Sequence, residues 1–444
     1  MRSNLLIRGG TIISGGSNPP FKADVAIGGD HIVEVRPHLE AGPGWTVIDA
    51  AGKFVVPGFI DLHAHLISGG FDTISNAGMT FDLDVARRVL QQMLYWGVTS
   101  VYSPVQPLDF GLRLRKETQA TTATRLFISG PGFTAPGGWA GANLAEARYE
   151  PQNAAEAERD LDELADAHID IVKIFFDDMS CAFRRPLSKL STPVMQTIVR
   201  GAHERGLQVM VHAYALENHK DTMRAGADIM AHSVITAPVD EEYITLAREH
   251  NVMYQGTLSI YHDAFDETSI RKLIENEAIT RSVPAVTLRT LSYPGPLDEF
   301  ESMIRQTFIR QQLPVIAANM RKVWEEGIEL GVGPDTGVMG AFPGFAVHRE
   351  MELMAQAGVP TAAVLHAATA AAADRLHRAD LGRIEVGGIA DLVVLTSNPL
   401  DDILHTRSVE QVIRGGVVVD RDELRKQILA ADRPQFAEMR AQCC

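Results

Sequence analysis

The chain has 444 residues, 45% hydrophobic and 22% charged, so it holds enough apolar material for a large folded core. Its 41 Lys and Arg against 56 Asp and Glu give a net charge of −15, which argues against nucleic acids and anionic membranes as partners. Three cysteines, Cys181, Cys443 and Cys444, cannot form a disulfide framework, and we find neither a leader peptide nor an apolar run of about 18 residues. We therefore expect a soluble, cytoplasmic protein.

The two ends of the chain share one pattern. Residues 1–56 contain short apolar segments separated by glycine pairs, as in "LLIRGGTII", and residues 383–444 return to it in "GRIEVGGIADLVVL". Short strands with Gly-rich turns are typical of β domains. We predict a small β-sandwich domain built from 1–56 and 383–444.

The middle of the chain, residues 57–382, alternates apolar strands with amphipathic helices, several of which are followed by a glycine. Eight strand-helix units are the number found in a (β/α)8 TIM barrel, so we predict an α/β fold of that type. The predicted strands are 58–66, 99–105, 125–133, 169–176, 207–214, 228–234, 252–258 and 327–336.

The spacing of the units is broken once, between the seventh and eighth strands. The resulting insertion spans about 260–318. A long loop at the catalytic face of a barrel can act as a lid or bind substrate. It can equally serve packing or oligomer contacts, and both possibilities stay open here.

A lysine interrupts the buried fourth strand. In "DIVKIFF", Lys173 stands within a run of apolar residues that is typical of a strand buried on both faces. An ammonium group there would lose its hydration, which is costly without a partner. Either Lys173 lies at the strand end and reaches solvent, or its charge is removed by chemistry.

Polar side chains stand near the ends of several predicted strands. His63 and His65 are two residues apart, so on a strand they share a face, and Lys173, His212, His232 and Asp335 fall at matching ends of other strands. Any single histidine is more often a hydrogen-bonded core residue than a ligand. Because all of these residues fall at the same end of their predicted strands, a purely structural role explains the whole set poorly. We assign the remaining candidates, His203, His219, His250, His366 and His377, to helix surfaces and caps.

The motifs together resemble the amidohydrolase superfamily of metal-dependent hydrolases. "VVPGFIDLHAHL", "VKIF", "VHAYA", "AHS" and "GPDTG" occur in the expected order, and "AATAAAADRLHRADLGRIEVGGIADLVVLTSNPLDDI" is similar to the return into the flanking β-domain. In detail the chain looks closest to the subgroup of Xaa-Pro dipeptidases, ochratoxin-hydrolysing enzymes and imidazolonepropionase-like proteins. Relatives in this superfamily often form homo-oligomers, which we expect here as well.

The resemblance implies a site with two divalent metal ions, for which Zn²⁺ suits the imidazole and carboxylate ligands best. It assigns His63, His65 and Asp335 to one ion, and His212 and His232 to the other. Lys173, carboxylated by carbon dioxide, would bridge them as a carbamate without positive charge. The ions would activate a bridging hydroxide, and Asp335 would carry its proton to the leaving nitrogen.

Several residues are candidates for substrate contacts. Tyr214 lies two residues after His212 in "HAY", so it points to the same side; it is either a substrate-binding group or an ordinary half-buried tyrosine. The loop "GPGFTAPGGWAG" lacks the pattern of a phosphate site. Weaker specificity candidates are Trp139, His262, Arg281 and Arg289.

The function expected from these residues is hydrolysis of the C–N bond of a small N-acyl amino acid or dipeptide. Hydrolysis of a carbamate, a phenylurea or a cyclic amide is an alternative on the same kind of centre. More remote alternatives are a phosphotriester or lactone hydrolase and a non-catalytic scaffold. The scaffold alternative predicts missing ligands, whereas all six positions are filled.

Overall fold

The computed structural model describes residues 4–15, 18–67, 80–139, 146–180, 186–264, 267–291, 299–337 and 340–431. The three cysteines lie outside these residues. So do 432–444 at the end of the predicted terminal domain, and 265–266 and 292–298 within the predicted insertion.

The eight strands predicted for the middle of the chain all form, and the third is divided in two. In chain order the strands are β1 (Leu5–Ile12), β2 (Phe21–Gly28), β3 (His31–Arg36), β4 (Thr46–Asp49), β5 (Phe54–Pro57), β6 (Phe59–Asp61), β7 (Val98–Ser103), β8 (Arg125–Ile128), β9 (Gly132–Phe133), β10 (Arg148–Tyr149), β11 (Ile171–Phe175), β12 (Gln208–His212), β13 (Ile229–Ala231), β14 (Met253–Gln255), β15 (Glu329–Leu330), β16 (Leu392–Leu395), β17 (Val409–Arg414) and β18 (Val417–Val418).

Helices separate the strands of the middle region, as the sequence predicts. They are α1 (Leu83–Tyr95), α2 (Leu108–Ala120), α3 (Ala154–Asp166), α4 (Thr192–Glu204), α5 (Leu216–Arg224), α6 (Glu241–Glu249), α7 (Glu267–Glu275), α8 (Glu277–Thr280), α9 (Ala285–Leu291), α10 (Glu299–Glu325), α11 (Phe345–Gln356), α12 (Thr361–Ala367), α13 (Ala370–Arg375) and α14 (Arg421–Leu429). A π-helix covers Ile260–Ala264 and a 3-10 helix covers Ile403–Arg407. Among the residues described, no helix is both long and apolar enough to cross a bilayer.

Strands from both chain ends join in one sheet. Within the described residues this sheet has eight strands in the order β18-β17-β16-β5-β1-β2-β3, with β4 paired to β1. The link between the two chain ends is the antiparallel pair of β16 and β5, in which Val393 faces Val56. Buried aliphatic side chains from both ends, such as Ile7, Val25 and Leu392, form one apolar cluster. Its arrangement as a β-sandwich domain stays a prediction.

The strands of the middle region are parallel, which confirms the predicted α/β class. In the described part of the chain, β6-β7-β8 form one sheet, and β10-β9-β11-β12-β13-β14-β15 form another. Backbone hydrogen bonds connect the two sheets on both sides. Leu62 N donates to Val332 O at 2.9 Å, Thr336 N donates to His63 O at 3.0 Å, and Asp170 N donates to Ile128 O at 2.9 Å. The carboxyl ends of these strands therefore lie on the same side of the region.

The alternation of side chains along β11 explains where Lys173 lies. Ile171 belongs to the apolar cluster shared with Ile60, Met210 and Ile229 of neighbouring strands, whereas Val172 belongs to the cluster that packs under the helices. Because side chains alternate with a period of two, Lys173 follows Ile171 on the inner face. Phe175 comes next on this face, at the strand's carboxyl end.

Helix ends are set by local sequence. Asp82 caps α1 by accepting hydrogen bonds from Asp84 N and Val85 N. Gly97 follows α1 with φ +82°, a backbone conformation that favours glycine. A Cβ atom at Gly97 would also lie 2.9 Å from Cγ2 of Val393, so glycine allows β16 to approach the start of β7.

The described part of the predicted insertion is helical and packs in part against α1. Ser282 Oγ accepts a hydrogen bond from Trp96 Nε1 at 3.1 Å, and the Arg281 guanidinium lies 5.2 Å from the centroid of the Trp96 ring. Arg425 of α14 donates to Arg281 O at 2.9 Å. These contacts favour the packing role for residues near Arg281, whose side chain is engaged with Trp96.

Candidate metal centre

The strands bring the six predicted ligand residues to one place. His63 and His65 follow β6, Lys173 lies in β11, His212 ends β12, His232 follows β13, and Asp335 follows β15. All six are buried, with exposed fractions between 1% and 7%. The pairing of parallel strands places several of these residues at the same height along neighbouring strands. Phe175 is opposite His212, and His212 is opposite Ala231, the residue before His232.

His63, His65 and Asp335 form the tightest group. Nε2 of His65 is 2.9 Å from Oδ1 of Asp335, and Nε2 of His63 is 3.4 Å from the same oxygen. The ligand atoms of the three residues all lie within 4.8 Å of one another. Two imidazoles and a carboxylate at this separation can share one divalent cation.

His212 and His232 form a second group. Nδ1 of His212 is 2.8 Å from Nε2 of His232, and Nδ1 of His232 is 2.8 Å from Thr257 Oγ1. The Thr257 hydroxyl donates to Gly256 O at 2.8 Å, so it accepts from His232 Nδ1. That bond fixes the tautomer of His232 and leaves the lone pair of its Nε2 facing His212. Nε2 of His212 has no hydrogen-bond partner among the described residues.

Lys173 does not reach solvent. It is 1% exposed, and its Nζ has no hydrogen-bond partner within the part of the chain that the structure describes. Its Nζ lies 5.6 Å from the centroid of the Phe175 ring. Burial lowers the pKa of Lys173 to about 7, against the opposing effect of the Asp335 carboxylate. The alternative that Lys173 ends a strand in solvent is therefore wrong.

Burial and neighbouring groups also shift the pKa of His63, His212, His232 and Asp335. Burial lowers the pKa of His63 to about 3, and it lowers the pKa of His212 and of His232 well below the usual value. Burial raises the pKa of Asp335, but the neighbouring His63 and His65 outweigh it and hold that pKa below its usual range. Neutral imidazole and ionised carboxylate are the forms that bind a metal.

Sequence reasoning missed the residues that hold the histidines in place. Gln255 Oε1 accepts from His63 Nδ1 at 2.9 Å, so His63 presents Nε2 to Asp335. A Cβ atom at Gly333 would lie 2.3 Å from Cδ and Nε2 of Gln255, so glycine leaves room for this amide. The signal in the sequence was the alternation of polar Gln255 and Thr257 at the end of an otherwise apolar strand.

We predict that Gln255→Leu lowers metal affinity by about 10- to 100-fold, because His63 loses the acceptor that orients its ring. Metal affinity of the purified protein, measured by competition with a chelator, checks this. Gln91→Leu is the matched control, since the Gln91 amide bonds only to the exposed Gln427 in the described structure. Equal affinities in wild type and Gln255→Leu would contradict the assigned role.

A buried carboxylate supports the segment that follows β14. Glu350 of α11 accepts hydrogen bonds from Leu258 N at 2.7 Å and Ser259 N at 2.8 Å. The preceding residue, Arg349, donates two hydrogen bonds to Asp263, of 2.9 and 3.1 Å. Helix α11 therefore fixes the backbone immediately after Thr257, the residue that orients His232.

The titration of Glu350 should make the free energy of unfolding depend on pH. Burial raises its pKa from 4.5 to about 7, although both backbone N–H groups oppose the shift. The folded state thus binds more protons between these values, so the contribution to stability is full below about pH 4.5 and is lost as pH rises through about 7. The loss is on the order of 3 kcal/mol.

Glu350→Gln cannot titrate, so its melting temperature should approach that of the wild type as pH rises from about 5 to about 8. Thermal unfolding at the two pH values measures this. A difference in melting temperature that is constant or grows with pH would show that Glu350 is ionised throughout.

The residues proposed for substrate contacts lie in different parts of the structure. Tyr214 is 9% exposed, and its ring centroid is 4.8 Å from that of His212 and 5.2 Å from that of His232. The Trp139 ring stacks on His212 with centroids 6.1 Å apart. His262 lies in the π-helix beside Arg349, and Arg289 is exposed on α9.

One histidine assignment was wrong. His219 is completely buried rather than on a helix surface, and its Nε2 is 2.9 Å from Ala213 O, directly after His212. Burial lowers the pKa of His219 to about 4, so the neutral ring donates to this carbonyl. His219 thus packs against Ala213, the residue that follows His212.

The chain belongs to the amidohydrolase family, whose sequence profile matches residues 54–419. Over 63 residues it is 43% identical to dihydropyrimidinase 2 of Caenorhabditis briggsae, a match that covers 14% of this chain and 12% of that protein. Over 64 residues it is 42% identical to N-acyl-D-aspartate deacylase of Alcaligenes xylosoxydans xylosoxydans, covering 14% and 13%. The predicted membership of the amidohydrolase family is thereby confirmed, and the chain matches these curated relatives over 12–13% of their own length.

Solved structures share the fold over nearly the whole chain. A Xaa-Pro dipeptidase with bound methionine has a TM-score of 0.74 at 22% identity, covering 94% of this chain and 100% of that one. Aspergillus niger ochratoxinase gives 0.72 at 17%, covering 94% and 95%, and phenylurea hydrolase B gives 0.75 at 20%, covering 97% and 100%. The predicted resemblance to the dipeptidase and ochratoxin-hydrolase subgroup is confirmed at the level of fold.

Proposed function

We propose that the protein is a binuclear metal-dependent hydrolase that cleaves the C–N bond of a small N-acyl amino acid or dipeptide. The observation that carries this proposal is the meeting of four imidazoles, one carboxylate and one buried amine at the carboxyl ends of parallel strands. A purely structural cluster would satisfy its polar atoms internally. Instead, Lys173 Nζ and His212 Nε2 are buried without a hydrogen-bond partner among the described residues.

The donor set fits two divalent cations, most simply Zn²⁺. His63, His65 and Asp335 would hold one cation, and His212 and His232 would hold the other. Lys173 would join the two groups after its amine has reacted with carbon dioxide. A carbamate would account for an amine without a hydrogen-bond partner among the proposed metal ligands in the described structure, because it would replace a buried positive charge with anionic oxygens.

We further propose that the connected parallel strands close into a (β/α)8 barrel over residues 57–382. Backbone hydrogen bonds between the segments after β6 and after β15 support this closure. The sheet of both chain ends would form a β-sandwich domain from 1–56 and 383–444. By analogy with family members we expect a cytoplasmic homo-oligomer that acts on small amides.

The chemistry follows from what the side chains can do. Bound divalent cations would polarise the scissile carbonyl and lower the pKa of a bound water. Asp335 Oδ1 lies 2.9 Å from His65 Nε2 and 3.4 Å from His63 Nε2, and Oδ2 lies 4.0 Å from His232 Nδ1. Asp335 would accept the proton of the attacking water and deliver it to the leaving nitrogen, which departs poorly unless protonated.

Tyr214 would bind the substrate. Its backbone N donates to Asp177 Oδ2 at 2.6 Å, and its ring rests against those of His212 and His232. These contacts hold the phenol beside the reacting groups, where it can hydrogen-bond a polar substituent of the amide.

The second candidate is hydrolysis of a carbamate, a phenylurea or a cyclic amide. The fold similarity to phenylurea hydrolase B supports this alternative. The bonds broken are again C–N bonds at a carbonyl carbon, so the same residues would serve. Phosphotriester or lactone hydrolysis and a non-catalytic scaffold are more remote.

A substrate panel tests the proposal. Metal-loaded protein is incubated with dipeptides including Xaa-Pro, N-acyl and N-aroyl amino acids, arylcarbamates and phenylureas, and the loss of each compound is followed by mass spectrometry. Cleavage of compounds with a free carboxylate beside the scissile amide is expected. Cleavage of neutral amides or carbamates alone would contradict the N-acyl amino acid and dipeptide assignment in favour of the second candidate.

A further inference from the structure

An apolar wall lies beside His212, at the carboxyl ends of four of the parallel strands. Ile67 follows β6, Val105 follows β7, Trp139 follows β9, and Phe175 ends β11. These residues belong to one apolar cluster together with Ala147 and Phe81, and Trp139 also packs against the main core. Ile67, Val105, Ala147 and Phe175 are buried, whereas Trp139 and Phe81 remain partly exposed. Trp139 therefore keeps part of its aromatic surface exposed beside His212.

Trp139 links this wall to the predicted metal ligands. Its ring stacks on that of His212, with centroids 6.1 Å apart and planes at 30°, and Phe175 contacts the same imidazole at 5.4 Å. The loop that carries Trp139 is fixed locally: Thr134 Oγ1 donates to Trp139 O at 2.6 Å, and Gly138 N donates to Ala135 O at 2.8 Å. A partly exposed indole held in this way provides a defined stacking surface.

We propose that Trp139 and Phe175 form a subsite for an aromatic ring carried by the amide substrate. The inference rests on the proposed amide hydrolysis and deepens it, by assigning the acyl side of the substrate an aryl group. A planar ring packed against the indole would bury apolar area on both partners, and aromatic rings prefer centroid separations of about 4.5–7 Å. A methyl group in the same place would gain much less contact.

The test compares two substrates that differ only in the acyl group, N-benzoyl-L-alanine and N-acetyl-L-alanine. The ratio of their kcat/KM values is measured in wild type and in Trp139→Leu, Trp139→Phe and Trp45→Leu. Trp45 is a matched control, since it is a partly buried tryptophan of the terminal sheet. We expect the benzoyl-to-acetyl ratio to fall about tenfold in Trp139→Leu. Trp139→Phe should keep most of the preference, and Trp45→Leu all of it.

A second measurement separates this inference from the proposed function. Equilibrium binding of both compounds to metal-free protein is measured by calorimetry. If the wild type cleaves neither compound, the proposed function is not supported for N-acyl amino acids, and the binding measurement alone decides on the subsite. A benzoyl preference in binding that disappears in Trp139→Leu would still support the subsite, and equal binding of both compounds would overturn it. If the benzoyl-to-acetyl ratio of kcat/KM in Trp139→Leu equals that of the wild type, the subsite is overturned. Trp139 would then only cover His212.

Discussion

Replacing Asp335 by Asn is expected to reduce kcat by about 10²- to 10⁴-fold, the range usual for the loss of a general acid–base group. Asn keeps the size of the side chain and one oxygen that can face His63 and His65, but it cannot take up a proton. Asp335 adopts φ +57°, a conformation that asparagine tolerates better than most residues, so the backbone need not change.

The measurement for Asp335→Asn combines steady-state kinetics with metal content per chain. Metal content close to that of wild type, together with a large fall in kcat, would support the proton-transfer role. Metal loss in parallel with activity would show that Asp335 acts as a ligand first, and the proton-transfer role would then have no support. Asp391→Asn provides a comparison, since it also removes a buried carboxylate but lies directly before β16 and outside the ligand set.

Replacing Lys173 by Met is expected to abolish binding of at least one metal ion and to lower kcat/KM by roughly a thousandfold or more. Methionine has a similar length and removes an amine that lacks a hydrogen-bond partner among the described residues. Thermal stability of the metal-free protein should therefore be maintained or increased, because a buried polar group without a partner is costly.

Lys220→Met is the matched control for Lys173→Met. Lys220 is also buried, yet its Nζ binds Asp240 at 2.6 Å and Glu242 at 2.9 Å. Its removal should lower the melting temperature and spare metal binding, the opposite pattern. Bicarbonate should speed the recovery of activity when metal is returned to stripped wild-type protein. A Lys173→Met variant that keeps wild-type metal content and activity would contradict the carbamate proposal.

Local sequence was enough to predict most of the parallel strands and the position of the ligand residues on them. The period of two places His63 and His65 on one face, and an apolar run around Lys173 is unambiguous for a buried strand. The common level of His212, His232 and Asp335 then follows from parallel pairing, which aligns the carboxyl ends.

Contacts between distant parts of the chain could not be predicted in this way. Glu350 bonds Leu258 N across 92 residues of sequence, and Gln255 bonds His63 across 192. Such pairs depend on how helices and strands pack, so the sequence can mark Gln255 as a polar residue at a strand end but cannot name its partner. His219 shows the same limit, because its burial follows from packing of α5 and not from its local pattern.

The most direct test of a metal-dependent C–N hydrolase is a titration of the metal-free protein with Zn²⁺, while hydrolysis of an N-acyl amino acid or dipeptide from the panel is followed. Bound metal is counted in the same samples. We predict no hydrolysis without metal and a rise to full rate as two ions bind per chain. Full activity of the metal-free protein, or a fully loaded protein that cleaves no amide of the panel, would contradict the account.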